Sequence, residues 1–544
     1  MKFKPTGTLN VSRAATDIGD ADMQRCANLS VDRAGRLDTR PGTTRSVNQM
    51  TGPASFMVEQ GGVRYSLVDG GIWRDELNII SGLASGGWSA IKYNQFNASS
   101  QQIFSINGTD RKRISGTTVS EWGITAPNTK PVLTTGASTG LTGTYNAVYT
   151  YAVKEGAVVV SESNASAAAD SGQALSNQTL SVTFTASTDP QVTHVRVYRT
   201  LPGGSVYFHD QDIAVGTIVV DSNTADVALG GEVEIDHDRP PAGTIVAGPF
   251  YSGVCFIAKD NLLYYCLSKR PEYWPTTNFI EIGSKQSPIK SVIEFGGQVY
   301  VLTKEQIWFI QGTGGGAFNP IPLNTLSGAQ GTLGALGVEG VGIFHIGADG
   351  LYLFSGGRDQ KISQDTLEPV FRGVATNGML GKSDLAAAWL ARYENRLYMH
   401  YSNGAALVMN LDNSRTTYYK WDQAMTGPVV DLTNDRLYAC DAAGYTRHLE
   451  VRGATDDRGV GIEWQVESKD YTDQTRRYFP RFMKYDVDGA ATGALVLDGQ
   501  IHQAHTLTVS RSTKRRIVEE GNGRRCSIRI SGTGSATVYA AEME

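Results

Sequence analysis

The residue groupings able to do chemistry are few, and each can be set against the geometry it would need. His502 and His505 stand three apart in Ile501-His-Gln-Ala-His-Thr-Leu507. On an extended strand that spacing sends the two rings to opposite faces, so no shared zinc ion is expected. Gly312-Thr-Gly-Gly-Gly316 is glycine-rich but runs on into Ala-Phe-Asn-Pro320. It has neither the lysine nor the helix start that a phosphate cradle requires, and it reads as a loop. Acidic residues such as Asp69, Asp349 and Asp441 fall in turns, where Asp bonds its own backbone. Glycoside hydrolysis would need paired carboxylates beside arginines, and the repeated Ser-x-Asp-x-Gly-x-x-Trp turn of sialidases is missing. A strand–turn–helix nucleophile elbow is not expected either. No catalytic residue, cofactor or metal ligand is therefore assigned.

Basic residues gather near the C-terminus. Between 476 and 529 eleven Lys or Arg face five Asp or Glu, centred on Arg511, Lys514, Arg515, Arg516, Arg524 and Arg525. Two readings stand open: a solvated face, or a docking patch for an acidic partner, protein or DNA. No aromatic side chain interleaves with them between 511 and 530, so a stacking platform for single strands is not expected.

These groups sit on a chain that repeats one word. Asp260-Asn-Leu-Leu-Tyr-Tyr-Cys266 is a polar turn followed by an alternating apolar and aromatic strand, and it returns as Gly296-Gly-Gln-Val-Tyr-Val-Leu302, Asp349-Gly-Leu-Tyr-Leu-Phe354, Asn395-Arg-Leu-Tyr-Met399 and Asp435-Arg-Leu-Tyr-Ala439. The tyrosines at 264, 300, 352, 398 and 438 are 36, 52, 46 and 40 residues apart. One small antiparallel sheet per unit is the expectation, which is the signature of a β-propeller.

At 544 residues the chain is too long for one ordinary core. Its 61 glycines and its 19% of charged residues fit an all-β protein with many tight turns. The net charge of −5 gives no reason to expect nucleic-acid binding through overall charge. Cys26, Cys255, Cys266, Cys440 and Cys526 are odd in number and scattered, which points to a reducing compartment rather than a disulfide framework. No apolar core follows Lys2 and Lys4, so no secretory signal is expected. No run of 18 apolar residues occurs, so no membrane span is expected.

Four regions follow. Residues 1–127 hold a polar N-terminal segment and the first propeller blades. Asp32 to Gly35 reads as a tight turn between two short strands, and Arg40-Pro-Gly42 as a second turn with Gly42 free to take positive φ. Val63-Arg-Tyr-Ser-Leu-Val68, Asp69-Gly-Gly71 and Ile72-Trp73 read as a hairpin. Residues 128–244 lose aromatics and gain Ser, Thr, Ala and Val; about seven short strands there predict an inserted β-sandwich of immunoglobulin or fibronectin III type. Residues 245–455 hold the remaining blades, about seven in all, which the N-terminal segment is available to close. Residues 456–544 predict a small C-terminal β-sandwich-like module. The best helix candidate is Ser383 to Arg392.

Several pieces together resemble the tail hub or nozzle proteins of short-tailed bacteriophages, the packaged-DNA stabilisation family. They are Asn28-Leu-Ser with Leu37-Asp-Thr-Arg-Pro-Gly42; Trp122-Gly-Ile-Thr-Ala-Pro127; Gly143-Thr-Tyr145 with Tyr149-Thr-Tyr-Ala-Val153 and Glu162-Ser-Asn-Ala-Ser166; Leu263-Tyr-Tyr-Cys-Leu-Ser268 with Pro271-Glu-Tyr-Trp-Pro275; and Ile346-Gly-Ala-Asp-Gly-Leu-Tyr352. They touch most of the chain, and none is catalytic. The resemblance implies a structural, non-enzymatic virion protein, made in the host cytoplasm and placed in the virion tail. It implies a homo-hexameric ring below the head–tail adaptor, contacts to tail fibres or a tail needle, and double-stranded genomic DNA passing through without sequence recognition. Six copies at −5 each carry −30, which suits a conduit that must not grip phosphates. The alternative is a carbohydrate-binding or depolymerising propeller, such as a phage receptor-binding protein. A bacterial surface propeller is disfavoured by the missing signal sequence.

Overall fold

The computed structural model describes residues 1–31, 36–94, 100–137, 139–313, 316–472, 480–508, 512–518 and 523–544. Alternating patterns of buried and exposed residues build a chain that is nearly all β, arranged in many small sheets, with a propeller-like architecture. Six units are four consecutive antiparallel strands. They span Ala54–Gln60 to Leu77–Ser81, Ser89–Asn94 to Thr118–Glu121, Ile245–Phe250 to Phe279–Glu281, Ile289–Phe295 to Asn319–Pro322, Ala335–Val338 to Arg358–Lys361, and Trp389–Tyr393 to Arg415–Lys420. The seventh has three strands, Met425–Asp431, Arg436–Asp441 and Thr446–Val451, and takes its fourth from the N-terminus as Gly42–Arg45. The first strand of each unit lies beside the first strand of the next, and the seventh returns to the first. The turns follow local chemistry: Gly296 and Gly297 take φ of 59° and 72° between their two strands, a backbone that suits the right-handed twist of a two-residue hairpin.

The repeating tyrosine does not hold one place in the unit. Tyr264 and Tyr352 lie on third strands, whereas Tyr300, Tyr398 and Tyr438 lie on second strands. Each unit nonetheless puts a large ring near its middle. Tyr300 meets Phe354 of the next sheet with centroids 6.2 Å apart. Arg64 of the first sheet sits 4.4 Å from the ring of Tyr438 in the seventh.

Between the second and third units, Val132–Thr135 to Val219–Ser222 supply nine strands in three small antiparallel sheets, two more strands than the expected seven. Tyr149, Val160, Leu180, Val182, Val195 and Val197 form their core. The excursion leaves and returns at one point. A Cβ on Gly123 would stand 3.2 Å from Pro240 Cδ and 3.4 Å from Arg239 Cα.

The polar N-terminal segment, whose sequence reads as irregular, is built of short strands. Its strands join those of the C-terminus in two sheets. Met23–Ala27 bridges the sixth unit, with Ala27 opposite Tyr418, to Glu463–Ser468, Arg525–Thr533, Ala491–Leu497 and Gln500–Leu507. Leu29–Val31 and Leu37–Thr39 continue into Thr537–Met543, Phe482–Asp488 and Thr513–Arg516. One hydrophobic core runs from Phe3, Met23 and Leu29 through Phe344 and Met399 to Ile528, Val538 and Met543. Both termini are thus packed onto the fifth and sixth units.

Two local expectations change. Ser383 to Arg392 is not helical: Trp389–Tyr393 is the first strand of the sixth unit, and the α-helix among the described residues is Glu368–Phe371. Packing Trp389 and Leu390 in a sheet overrides local helix propensity. Gly42 does not take positive φ. It is a strand residue whose absent Cβ lets Asp456 O approach to 2.0 Å of where that atom would sit. The turn at 32–35 lies outside the described residues, although its flanking strands do pair. No helix among the described residues is long and apolar enough to cross a membrane.

Candidate functional site

Ionisable side chains converge at the foot of the inserted segment. Glu162 ends the strand Val158–Glu162, and Arg196 and Tyr198 share a face of His194–Thr200 because they are two apart. Tyr207–Ala214 brings His209 and Asp212. A register shift between Val197 and Tyr198 skips Asp210, so these two oddly spaced residues reach one face. The bridge Phe208–Glu232 lays residues 231–237 alongside, with Glu232, Glu234 and His237. Arg270 and Tyr273 come from the third unit. All of these but Asp212 line a cleft of about 260 Å³.

Apart from the exposed Glu232, the charges in this cleft are paired. Glu162 accepts hydrogen bonds from Thr150 Oγ1 and Tyr198 Oη, each 2.6 Å, and from Arg196 Nη1. Asp212 accepts from Arg196 Nε at 2.9 Å and Lys154 Nζ at 2.5 Å, with His209 Nε2 at 2.8 Å. Burial alone would raise the Asp212 carboxyl, but these three partners hold it well below the usual carboxylate range. Burial works against Arg196 as well, and Glu162, Tyr198 and Asp212 outweigh it, so its guanidinium binds its proton more tightly than usual. Glu234 Oε2 lies 2.9 Å from His237 Nε2 and 2.7 Å from Arg270 Nη1, which depress its carboxyl in spite of burial. The His237 ring stacks on Tyr273 at 3.8 Å and 10°. Its other nitrogen, Nδ1, is buried without a partner. The run Glu232-Val-Glu-Ile-Asp-His-Asp238 was the one local signal in the sequence for this cluster.

The predicted basic residues occupy two places. Lys514, Arg515 and Arg516 lie on the edge strand Thr513–Arg516. Lys514 pairs with Glu544 and sits 4.5 Å from the Phe482 ring, and Arg515 Nη2 donates to Thr506 O at 3.4 Å. Arg524 and Arg525 instead donate their backbone N–H groups to Asp498, and the Arg525 guanidinium lies 3.9 Å from Asp470. The strand Gln500–Leu507 runs between the two groups, a span of roughly 23 Å at the usual rise. Arg511 is outside the described residues. Cations on an open edge also block unwanted strand pairing.

Where the first strands of the units begin, the axis opens into a cleft of about 470 Å³ lined by Ser55, Gly86, Trp88, Thr244, Ala387 and Trp389 among others. None of its lining side chains is ionisable.

Other chemically suggestive strings have structural explanations. Gly136 to Gly140 spells Gly-x-Ser-x-Gly but joins two strands rather than a strand and a helix, and residue 138 is outside the described residues. Gly381-Lys-Ser383 carries the last three letters of a phosphate loop, yet Thr376 stands where its first glycine belongs, Lys382 Nζ is spent on Ala348 O, and no helix follows. In the glycine-rich loop at 312–316, residues 314–315 are outside the described residues, and Gly316 O accepts from Tyr265 Oη at 2.8 Å. His505 lies 3.3 Å from Tyr485 Oη and 3.1 Å from Gln503 Nε2. No metal-holding group of three or more His, Cys, Asp or Glu occurs among the described residues. Cys255 and Cys266, eleven residues apart, face each other across one hairpin: Cys255 N donates to Cys266 Sγ at 3.1 Å.

One buried acid titrates near neutrality. Glu450, at the edge between the sixth and seventh units, is 5% exposed and accepts from Arg396 Nη1 at 3.0 Å, while its other oxygen has no partner. Burial outweighs Arg396 and Arg40 and raises the carboxyl to about 7. A raised carboxyl stabilises the fold fully below its unfolded value near 4.5, and loses that contribution as pH climbs through 7. Glu450→Gln is expected to remove a pH 5 to pH 8 stability loss of about 2–3 kcal/mol, read as a shrinking difference in urea midpoints between the two pH values. An unchanged difference would refute the assignment.

No family model matches the chain, and no curated protein matches it. Solved structures similar to it include the computationally designed Ika8 protein, at 10% identity over 75% of this chain and 100% of that one, with a TM-score of 0.33. BamB from Moraxella catarrhalis follows at 12% identity, 67% and 97% coverage and a TM-score of 0.26. BBS1N in complex with ARL6DN matches at 12% identity, 76% and 98% coverage and a TM-score of 0.27. Overlaps this loose carry no argument about this chain.

Proposed function

We propose that the chain is a structural virion protein, the tail nozzle or hub subunit of a short-tailed phage, built as a seven-bladed propeller with an immunoglobulin- or fibronectin III-like insert. In this reading six copies form a ring below the head–tail adaptor, extend the DNA exit channel and help retain the packaged genome, with tail fibres or a needle as further partners and no catalysis. The observation that carries it is how the termini are used. Residues 1–45 and 456–544 fasten the fifth, sixth and seventh units together. The axial mouth, where a propeller enzyme could place its chemistry, presents no ionisable side chain. Units fastened together in this way support the reading of a component that must keep its shape under load. The family resemblance of the sequence motifs supplies the specific role.

The test is assembly. Mass measurement and electron microscopy of the purified chain, alone and with the portal–adaptor complex of its own genome, are expected to give a six-copy ring seated on the adaptor. A persistent monomer without affinity for that complex would sink the reading. Turnover in a hydrolysis screen on host polysaccharide would replace it with the depolymerase alternative.

A further inference from the structure

The cleft at the foot of the insert has the features of a ligand site. It lies where the inserted segment meets the third unit, the kind of junction where small-molecule sites concentrate. Much of its wall is fixed before any ligand arrives, because Glu162, Arg196, Glu234 and Arg270 are each held by a neighbour, and preorganised polar groups bind at lower entropic cost. His237 is 4% exposed, lines the cleft and keeps Nδ1 without a partner. A buried polar nitrogen left unpaired costs free energy that a ligand hydrogen bond would recover.

The pairing also says what the ligand is. An anion would have to draw Arg196 from Glu162 and Asp212, or Arg270 from Glu234; a cation would have to draw the carboxylates away instead. Residues 128–244 hold five Lys or Arg against twelve Asp or Glu, a net −7, so the rest of the chain is +2. A polyanion is therefore repelled from this segment. A neutral molecule rich in hydroxyls meets neither penalty. Each hydroxyl can donate to a carboxylate oxygen and accept from a guanidinium or imidazole N–H without displacing an ion pair.

We propose that this cleft binds a neutral saccharide, with Glu232, Glu234, Arg270 and His237 as the groups that take its hydroxyls. The proposal does not depend on the nozzle assignment, and neither assembly nor its failure bears on it.

The full chain should be applied to an array of neutral and acidic oligosaccharides, and the retained glycans titrated in solution. Saturable binding of neutral oligosaccharides is expected. Arg270→Ala and Glu234→Ala should each weaken it at least tenfold, with melting temperatures within a few degrees of the parent. The double variant Lys514→Ala, Arg515→Ala should bind as the parent does. If either cleft variant melts early, Glu232→Ala, on an exposed side chain, replaces it with the same expected loss. Retention of no neutral glycan, retention of acidic glycans only, or binding that survives every cleft substitution would each overturn the proposal.

Discussion

Arg40→Ala is expected to destabilise the protein by about 3–5 kcal/mol, because it leaves a buried carboxylate without its counter-charge. Arg40 is 2% exposed and its fork is fully used. Nε donates to Asn28 Oδ1 at 3.0 Å; Nη1 donates to Pro41 O and Asp457 Oδ1, each 3.1 Å; Nη2 donates to Lys420 O at 3.0 Å and Asp457 Oδ2 at 2.5 Å. One side chain thereby ties the N-terminal strands to the last strand of the sixth unit and to the segment after the seventh. Arg40→Lys should recover little, since an ammonium cannot reproduce the planar bidentate contact. Asp457→Asn in the Arg40→Ala background should return part of the loss, because the two changes act on one interaction. Urea unfolding of the parent, Arg40→Ala, Arg40→Lys, Asp457→Asn and the double variant measures this. A loss under 1 kcal/mol in Arg40→Ala, or strict additivity with Asp457→Asn, would show that Arg40 is not the tie described.

Arg40 also shows how far the sequence could be read. The word Leu37-Asp-Thr-Arg-Pro-Gly42 was legible as a boundary between strands, and the ladder confirms strands on both sides. Its purpose was not legible, because Asp457 and Lys420 are about 400 residues away and spacing does not reveal such partners. Gly42 was misjudged for the same reason: its smallness serves a neighbour, Asp456, rather than a turn. The repeated tyrosine word found the units because each small sheet must bury a ring near its centre, although the ring shifts between second and third strands. Alternation between Val132 and Ser222 predicts about seven of the nine strands, but it does not reveal the cleft at their foot. That cleft depends on a register shift at Asp210 that brings His209 and Asp212 to one face, and strict alternation would have separated them. The basic residues near 515 and 525 were legible as charge, but their division by the strand Gln500–Leu507 required the fold.

Trp122→Ala is expected to cost about 3–5 kcal/mol, the range for removing a fully buried large aromatic side chain. Trp122 is 0% exposed. Its ring centroid lies 5.0 Å from that of Phe104 in the second unit and 5.7 Å from that of Trp274 in the third, edge-on. Its Nε1 donates to Pro271 O at 2.9 Å, and its own carbonyl accepts from Arg239 Nε at 3.4 Å, where the chain returns from the insert. The residue therefore closes the point at which the chain leaves the ring of units and re-enters it. Trp122→Phe separates packing from hydrogen bonding. Pro271 O remains bonded to Trp274 Nε1 at 2.7 Å, so the lost indole N–H leaves no orphaned acceptor and should cost only about 1–2 kcal/mol including the smaller ring. Urea midpoints rank the variants, and limited proteolysis at residues 124–128 reports whether the junction itself has loosened. Equal losses in the two variants would place the energy in the hydrogen bond. A large loss in Trp122→Ala with no new cleavage near the junction would place it in the cores of the second and third units alone.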